Sequence, residues 1–413
     1  MNEAEARGNG IAPQGRNGLP LEGVTVLDLG QIYNGPYAGF LMAMGGARVI
    51  KIEPPAGENM RRRGAAGDGA MLPFAMLNSN KEFVTINLKT EEGRQLLLDL
   101  VAKADILIEN FAPGVMDKLG VGPQRLFEVN PRLVYAAGSG YGWSGPYRDY
   151  LAMDLTVQAM SGVMASTGFP DSPPIRTGAA LCDFLGGIHL YSAAVTKLFD
   201  AQRTGIGGFV EVAMLEAVYA TLASPLGLYQ SLGQKNPPRT GNRHAGLSES
   251  PYNVYPTSDG WMAMFCVTEG HFQGLATAMQ RPDLLTDPRF SNHKARVANM
   301  DEMDAVIAAW SSAHTKNELQ EIAGRHRVPC APVRELDEVV NDPHMHERGA
   351  LRRVDHPDFG EIVLPTGPMR YGDIPAPAIR PSKAIGSDTQ SVLADLLGLD
   401  PGAIAALVAS GAV

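Results

Sequence analysis

The stretch "VTVLDLGQIYNGPYAGFLMAMGGARVIKIE", residues 24–53, decides the architecture. "VTVLDL" (24–29) is apolar and β-branched and runs into a polar, glycine-containing turn, the pattern of a strand buried on both faces. "GPYAGFLMAMG" (35–45) reads as a helix, with Pro36 in its first turn, where a missing N–H leaves no bond unmade. Gly45 and Gly46 stop that helix, and "ARVIKIE" (47–53) is a second strand. Strand, helix and strand in this order make a βαβ unit, whose strands lie parallel.

Working outward, the pattern repeats. "FVTINL" (83–88), "DILIEN" (105–110) and "RLVYAAG" (132–138) read as strands, with a helix from Glu91 to about Ala104 after the first. The alternation predicts an α/β fold with a mostly parallel sheet and helices on both faces. A helical region runs from Asp183 to Gln202, breaks at "RTGIGG", and resumes as helix in "VEVAMLEAVYATLAS" (210–224). Between Gln234 and Pro256 the composition turns to Pro, Gly, Asn and Ser, and "PYNVYPTSDGWMAMFCV" (251–267) reads as a hairpin across Ser258-Asp259-Gly260. Helices are expected over 271–280, 301–313 and 316–326. The predicted organisation is a flexible leader (1–20), a large domain (21–215), a linker (216–239), a small α+β domain (240–330), and a linker that returns the chain to the large domain (331–413).

Composition narrows the function. The 413 residues carry a formal net charge of −9, which argues against nucleic acid as a partner, because phosphate backbones need a clustered positive field. No apolar run approaches the roughly 18 residues of a membrane span, so no membrane partner is expected, and residues 1–20 lack the apolar core of a signal peptide. Three scattered cysteines, Cys182, Cys266 and Cys330, form neither a disulfide framework nor a metal knuckle. A cytoplasmic location follows as the expectation.

Several candidate sites stand beside ordinary explanations. "GQIYNGP" (30–36) lies at the carboxyl end of the first strand, where open parallel sheets bind ligands, or it is a plain connecting loop. No G-x-G-x-x-G occupies it and no Walker A pattern occurs, so nicotinamide and nucleoside triphosphate enzymes lose their usual support. "GSGYG" (138–142) follows a strand without a clear helix behind it. Arg61, Arg62 and Arg63 suit a polyphosphate, or form a solvated surface. His344 and His346 lack any metal-site pattern around them, and no metal is expected. Cys182 reads as a packing residue. Asp183 sits in the small and apolar stretch "TGAALCDFLGGIHLYSAAV" (177–195), either as a helix N-cap or as a functional carboxylate in a partly desolvated site.

Five blocks carry a resemblance. "LEGVTVLDLGQIYNGPYAGFLMAMGGARVIKIEPP", "LNSNKEFVTINLKTEEGR", "ADILIENFAPGVMDKLG", "VYAAGSGYGWSGPY" and "QAMSGVMASTGFPDSPPIRTGAALCDFLGGIHL" resemble, in order, the family III CoA-transferases. Formyl-CoA transferase and carnitine CoA-transferase belong to that family, and alpha-methylacyl-CoA racemase is a close relative. The resemblance implies a Rossmann-like large domain built from both ends of the chain, a smaller domain, and an interlocked homodimer. It places the catalytic aspartate at Asp183 and coenzyme A contacts at Ile32, Tyr33, Asn80, Lys81, Asn110, Phe111, Lys118, Ser139 and Tyr141. Pro54 and Ser139 stand where formyl-CoA transferase has basic residues, and Lys118 replaces an arginine; Arg61, Arg62 and Arg63 are the candidates to supply that charge. The glycine-rich lid of formyl-CoA transferase is absent, with "TGNRHAGLSES" (240–250) in its place.

The implied reaction moves CoA from an acyl-CoA thioester to a free carboxylic acid through an aspartyl–acyl anhydride and an aspartyl-CoA thioester. No permanently bound cofactor is called for. Backbone N–H groups near Asp183 are the expected oxyanion donors, and Gly186-Gly187 with the 240–250 loop the expected cover. Racemisation is the alternative, but the histidine it needs falls on Met153, which carries no titratable proton, and His189 lies six residues from Asp183 on another helix face. Thioester hydrolysis, or CoA-ester binding without turnover, is the remaining alternative.

Overall fold

The computed structural model describes residues 18–62, 71–372 and 374–413, except the side chain of Arg62. Most of the expected leader, the Arg62 side chain and all of Arg63 therefore lie outside the described residues. The chain forms two compact units: one takes the residues up to Val157 with Ala180–Val218 and Val340–Val413, the other Gln158–Ala179 and Tyr219–Val339.

The larger unit is built on six parallel strands, β1 (Thr25–Asp28), β2 (Arg48–Glu53), β3 (Lys81–Thr85), β4 (Ile106–Glu109), β5 (Val134–Ser139) and β6 (Gly208–Ala213), in the order β3-β2-β1-β4-β5-β6. Side chains alternate across the sheet. Leu27, Ile50, Leu107 and Tyr135 pack on one face against Leu97 and Leu100 of helix Glu91–Val101, whose first turn Thr90 caps by accepting from Gly93 N at 3.0 Å. Val26, Val49, Ile106 and Val134 pack on the other against Ala38 and Met42 of α1 (Asn34–Met44) and Leu190, Ala194 and Leu198 of helix Leu181–Thr204. Each fully buried Leu or Ile contributes about 1.5–3 kcal/mol, and burial on both faces explains the nearly unbroken apolar runs.

One expectation fails at the sheet edge. Residues 210–213, read as helix, belong to β6, and the helix starts only at Met214. The alternating "GFVEVA" pairs in register with β5 from Val134↔Gly208 to Ser139↔Ala213, and this pairing overrides the helical run that follows. The tail also holds a hairpin absent from the sequence reading, β10 (Leu351–His356) against β11 (Gly360–Pro365). Beyond it the chain returns to the first layers. Val392, Leu393 and Ile404 join the core around Leu97, Asp388 Oδ2 accepts from Phe83 N at 2.9 Å, and Ala412 O accepts from Asn87 N at 2.7 Å.

The smaller unit contains the antiparallel β7 (Tyr252–Thr257), β8 (Gly260–Phe265) and β9 (Cys330–Pro332). Helices Glu269–Ala278, Met300–Ser311 and Lys316–Arg325 enclose a core of Tyr255, Met262, Phe272, Ile307 and Leu319. The fully buried Arg296 is held there by Glu269 at 2.9 and 3.0 Å and by the carbonyls of Ser250 and Phe290. Among the described residues no helix is long and apolar enough to cross a membrane.

Candidate active site

The strand order places a topological switch point between β1 and β4. Connections leave these strands in opposite directions and open a crevice beyond their carboxyl ends. One carboxamide ties the two sides together. Asn110 Oδ1 accepts from Gln31 N at 2.7 Å, and its Nδ2 donates to Gln31 O at 2.9 Å. Ile32 beside them has φ of 63°, a left-handed conformation that a β-branched residue adopts only at a penalty of about 1–3 kcal/mol, typical of functional loops. Behind Asn110, the buried Glu109 accepts from Phe111 N at 2.6 Å and from the Tyr135 hydroxyl at 3.3 Å. Burial pushes its carboxyl up to about 8.

A cleft of about 470 Å³ opens above this floor. Ile32, Asn34, Asn110, Phe111, Ser139, Tyr141, Arg148, Met153, Asp183 and Met214 are among its walls. Among the described residues Arg148 is the single cation of the lining and Asp183 the single carboxylate.

Asp183 is not the N-cap. Helix Leu181–Thr204 starts two residues earlier, so Asp183 stands in its first turn, buried at 8 % exposure, where the helix dipole favours a negative charge. The cap comes from a distant residue: Asp154 Oδ1 accepts from Cys182 N at 2.8 Å and from Asp183 N at 3.3 Å. Two of the backbone donors near Asp183 are thereby already engaged. Cys182 is fully buried, and burial, with Asp154 and Asp183 adding negative charge, pushes its thiol up to about 12. It stays protonated and is no rival nucleophile.

Gly186 and Gly187 let the helix approach α1. A Cβ on Gly187 would stand 2.8 Å from Asn34 O, and one on Gly186 2.2 Å from Asn34 Nδ2. Gly138 closes on the same carboxamide from β5, where a Cβ would stand 2.3 Å from Oδ1. Asn34 is 3 % exposed, and neither polar atom of its side chain has a hydrogen-bond partner among the described residues. Leaving such a group dry and unpaired costs about 1–3 kcal/mol.

Of the twelve residues anticipated from the sequence, the structure gathers Ile32, Asn110, Phe111, Ser139, Tyr141 and Asp183 around this one cleft. Of the other six, the Arg62 side chain lies outside the described residues and five are absent from this lining. Tyr33 packs toward Met60, Phe74 and Phe83 and stacks with Phe184 at 5.9 Å. Asn80 bonds Ala378 O and the backbone of Arg380. Lys81 is buried with all three ammonium donors used, to Asp28 Oδ2 at 2.7 Å and to Pro36 O and Asn78 Oδ1 at 2.9 Å, and burial lowers its ammonium to about 8. Arg61 pairs with Glu53 at 2.7 Å and lies over the Phe74 ring at 4.1 Å, away from the lining, and Arg62 ends the helix Asn59–Arg62. Lys118 is exposed at the end of helix Val115–Lys118, outside the lining. Met153, at the position a racemase would fill with histidine, lines the cleft, while His189 is exposed and bonded to Leu185 O at 2.8 Å. His344 and His346 sit in a short helix, Pro343–Glu347, and His346 bonds Val340 O at 2.8 Å. Among the described residues no group of three His, Cys, Asp or Glu could hold a metal ion.

Sequence reasoning missed Asn34, Asp154, Arg148, Glu109 and Met214. Asn34 was visible only as a polar residue at a helix start facing a ligand-binding edge, and nothing local links Asp154 to a helix 28 residues on.

A doubly wound sheet with a buried carboxylate at the mouth of its switch-point cleft defines an α/β enzyme. Residues 21–389 match the family described as CoA-transferase family III, and the chain belongs to that family. It is similar to the succinyl-CoA–D-citramalate CoA-transferase of Chloroflexus aurantiacus, 38% identical over 94% of this chain and 97% of that one. It is also similar to the acetyl-CoA:oxalate CoA-transferase of Acetobacter aceti, 36% identical over 88% of this chain and 92% of the relative. Among solved structures it resembles a CaiB/BaiF family protein from Brucella suis, with a TM-score of 0.80, 31% identity, and coverage of 92% of this chain and 100% of the other. The protein is a CoA-transferase, acting on CoA thioesters and carboxylates.

Proposed function

We propose that Asp183 is the group that carries the acyl chain and then CoA between donor and acceptor. The observation that carries this reading is the placement of a buried carboxylate, in the first turn of a helix capped by Asp154, on the wall of the switch-point cleft. A carboxylate Oδ attacks the thioester carbonyl, a C–O bond forms, the C–S bond breaks, and CoA leaves as thiolate. The thiolate attacks Cγ of the anhydride, freeing the donor acid and leaving an aspartyl-CoA thioester. The acceptor carboxylate attacks that thioester, and the released thiolate takes the acceptor's carbonyl, giving the new acyl-CoA and free Asp183. A carboxylate is a weak nucleophile, so the gain comes from positioning and partial desolvation.

Ile32, Asn110, Phe111, Ser139 and Tyr141 would hold the pantetheine arm and its thioester. A neighbouring pocket of about 200 Å³ shares Gln31 and Phe111 with the cleft and includes Ile52, Ile86, Leu88 and Lys89. Its apolar walls suit the adenine ring, whereas Glu53 and Glu58, also in its lining, disfavour a phosphate there. Met153, in the same lining as Asp183, supports transfer over racemisation, since it can neither give nor take a proton. The exposed Ile188 and Phe199 on helix Leu181–Thr204 support an interlocked homodimer that covers them. Three free cysteines suit a reducing cytoplasm.

The test is mass spectrometry of CoA thioesters after mixing the enzyme with donors, succinyl-CoA and acetyl-CoA first, and free acids including citramalate and oxalate. New thioesters are expected with the native protein and none with Asp183→Ala. Free CoA alone, or an epimerised donor, across the panel would move the assignment to thioesterase or racemase.

A further inference from the structure

Attack on a thioester drives negative charge onto the acyl carbonyl oxygen, and a donor aimed at that oxygen is normally the largest catalytic contribution. The backbone N–H groups of Cys182 and Asp183 cannot serve, because Asp154 Oδ1 already accepts from both. Asn110 spends its carboxamide on Gln31, and Asn59 Nδ2 donates to Gln31 Oε1 at 3.3 Å. Asn34 remains. Its side chain lines the cleft with Asp183, and neither of its polar atoms is engaged among the described residues.

The surroundings fix this carboxamide. Gly138 and Gly186 approach it so closely that a methyl group on either would collide with it. Gly186 stands three residues after Asp183, hence on the same helix face one turn along. Nδ2, which lies against Gly186, is therefore held on the flank of the helix that presents the carboxylate to the cleft. A dipole held in place before the substrate arrives needs little reorganisation when charge develops beside it.

Resting on the assignment of Asp183 as nucleophile, we propose that Asn34 is a catalytic residue, whose Nδ2 donates to the acyl carbonyl oxygen of the thioester. As the Asp183 oxygen bonds to the carbonyl carbon, the π pair moves onto that oxygen, and the Nδ2–H bond strengthens without transferring its proton. The pair then returns and expels the CoA thiolate. Met214 lines the cleft and packs at the Gly186 position, 2.9 Å from its hypothetical Cβ. Its flexible thioether is the neighbour that swings aside when the acyl oxygen docks.

The experiment compares wild type, Asn34→Ala, Asn34→Asp and Asp183→Ala. Acylation of the protein by acyl-CoA is followed without acceptor by rapid-quench intact mass spectrometry. Binding is measured separately with a thioether analogue in which a methylene replaces the carbonyl. Asn34→Ala should slow acylation by about 10²–10³-fold while affinity for the analogue stays within twofold. Asn34→Asp, which keeps the shape between the glycines and decides the matter if the alanine variant does not fold, should be as slow at pH 8. It should recover partly as falling pH restores a proton to donate. Acylation within threefold of wild type in the Asn34 variants, with Asp183→Ala inactive, would overturn the role of Asn34 and leave Asp183 in place. An equal loss of analogue binding and acylation would also overturn it, reducing Asn34 to a packing residue. Full activity in Asp183→Ala would remove the nucleophile and this inference together.

Discussion

Replacing Lys81 by methionine separates two readings of one residue. The resemblance suggests a coenzyme A contact, whereas the structure buries the ammonium completely against Asp28, Pro36 O and Asn78 Oδ1. Methionine keeps most of the apolar stem and removes the charge, leaving Asp28 with a single remaining donor among its described bonds, Gly30 N at 2.8 Å. Breaking a buried ion pair on one side costs about 3–5 kcal/mol. Taking about 4 kcal/mol and a urea m-value of about 3 kcal/mol/M for a unit of this size, the midpoint should fall by about 1.3 M. Trp143 is the only tryptophan of the larger unit, so its fluorescence in a Trp261→Phe, Trp310→Phe background reports this transition alone. KM for the acyl-CoA should hardly move in the folded fraction. A midpoint shift below about 0.3 M with a KM raised tenfold would refute the structural role and restore Lys81 as a ligand contact.

Two further expectations concern the floor and the cap of the site. Burial raises the Glu109 carboxyl from 4.5 to about 8, so the folded chain holds a proton there that the unfolded chain releases. Stability therefore falls as pH climbs between those values, by at most about 1.4 kcal/mol per pH unit. Glu109→Gln should flatten this dependence in thermal melts from pH 5 to 8, and a profile parallel to wild type would contradict the assignment. Asp154→Ala should cost about 0.5–2 kcal/mol through the lost cap. It should also lower kcat by up to about 10²-fold with analogue binding preserved; an unchanged kcat would mean that Asp183 is positioned without it.

The sheet was legible because buried parallel strands leave a strong mark: "VTVLDL" and "ARVIKIE" admit few other readings. β6 escaped because "VEVA" runs directly into the helix-forming "MLEAVY", and only pairing with β5 tells them apart. Local chemistry left Asp183 open between cap and catalyst, and the family resemblance singled it out. The structure explains why both readings had force, since the helix start does need a carboxylate and Asp154 supplies it. Lys81 entered through the resemblance and Arg61 through a run of basic charge, and neither signal carries the carboxylates, Asp28 and Glu53, that the structure places beside them.

The last turns of the chain are woven into its first layers, with Val392 and Ile404 in the core around Leu97 and Ala412 bonded to Asn87. During vectorial synthesis the sheet that carries the cleft must wait, its β3 flank unsealed, while all of the smaller unit leaves the ribosome. Tyr219–Val339 encodes its own core and is complete well before residues 389–412 emerge. Truncating the tail would thus strip a wall from the nascent sheet and expose its apolar flank to chaperones and proteases. A tag or fusion at this end must leave that closing segment free to dock.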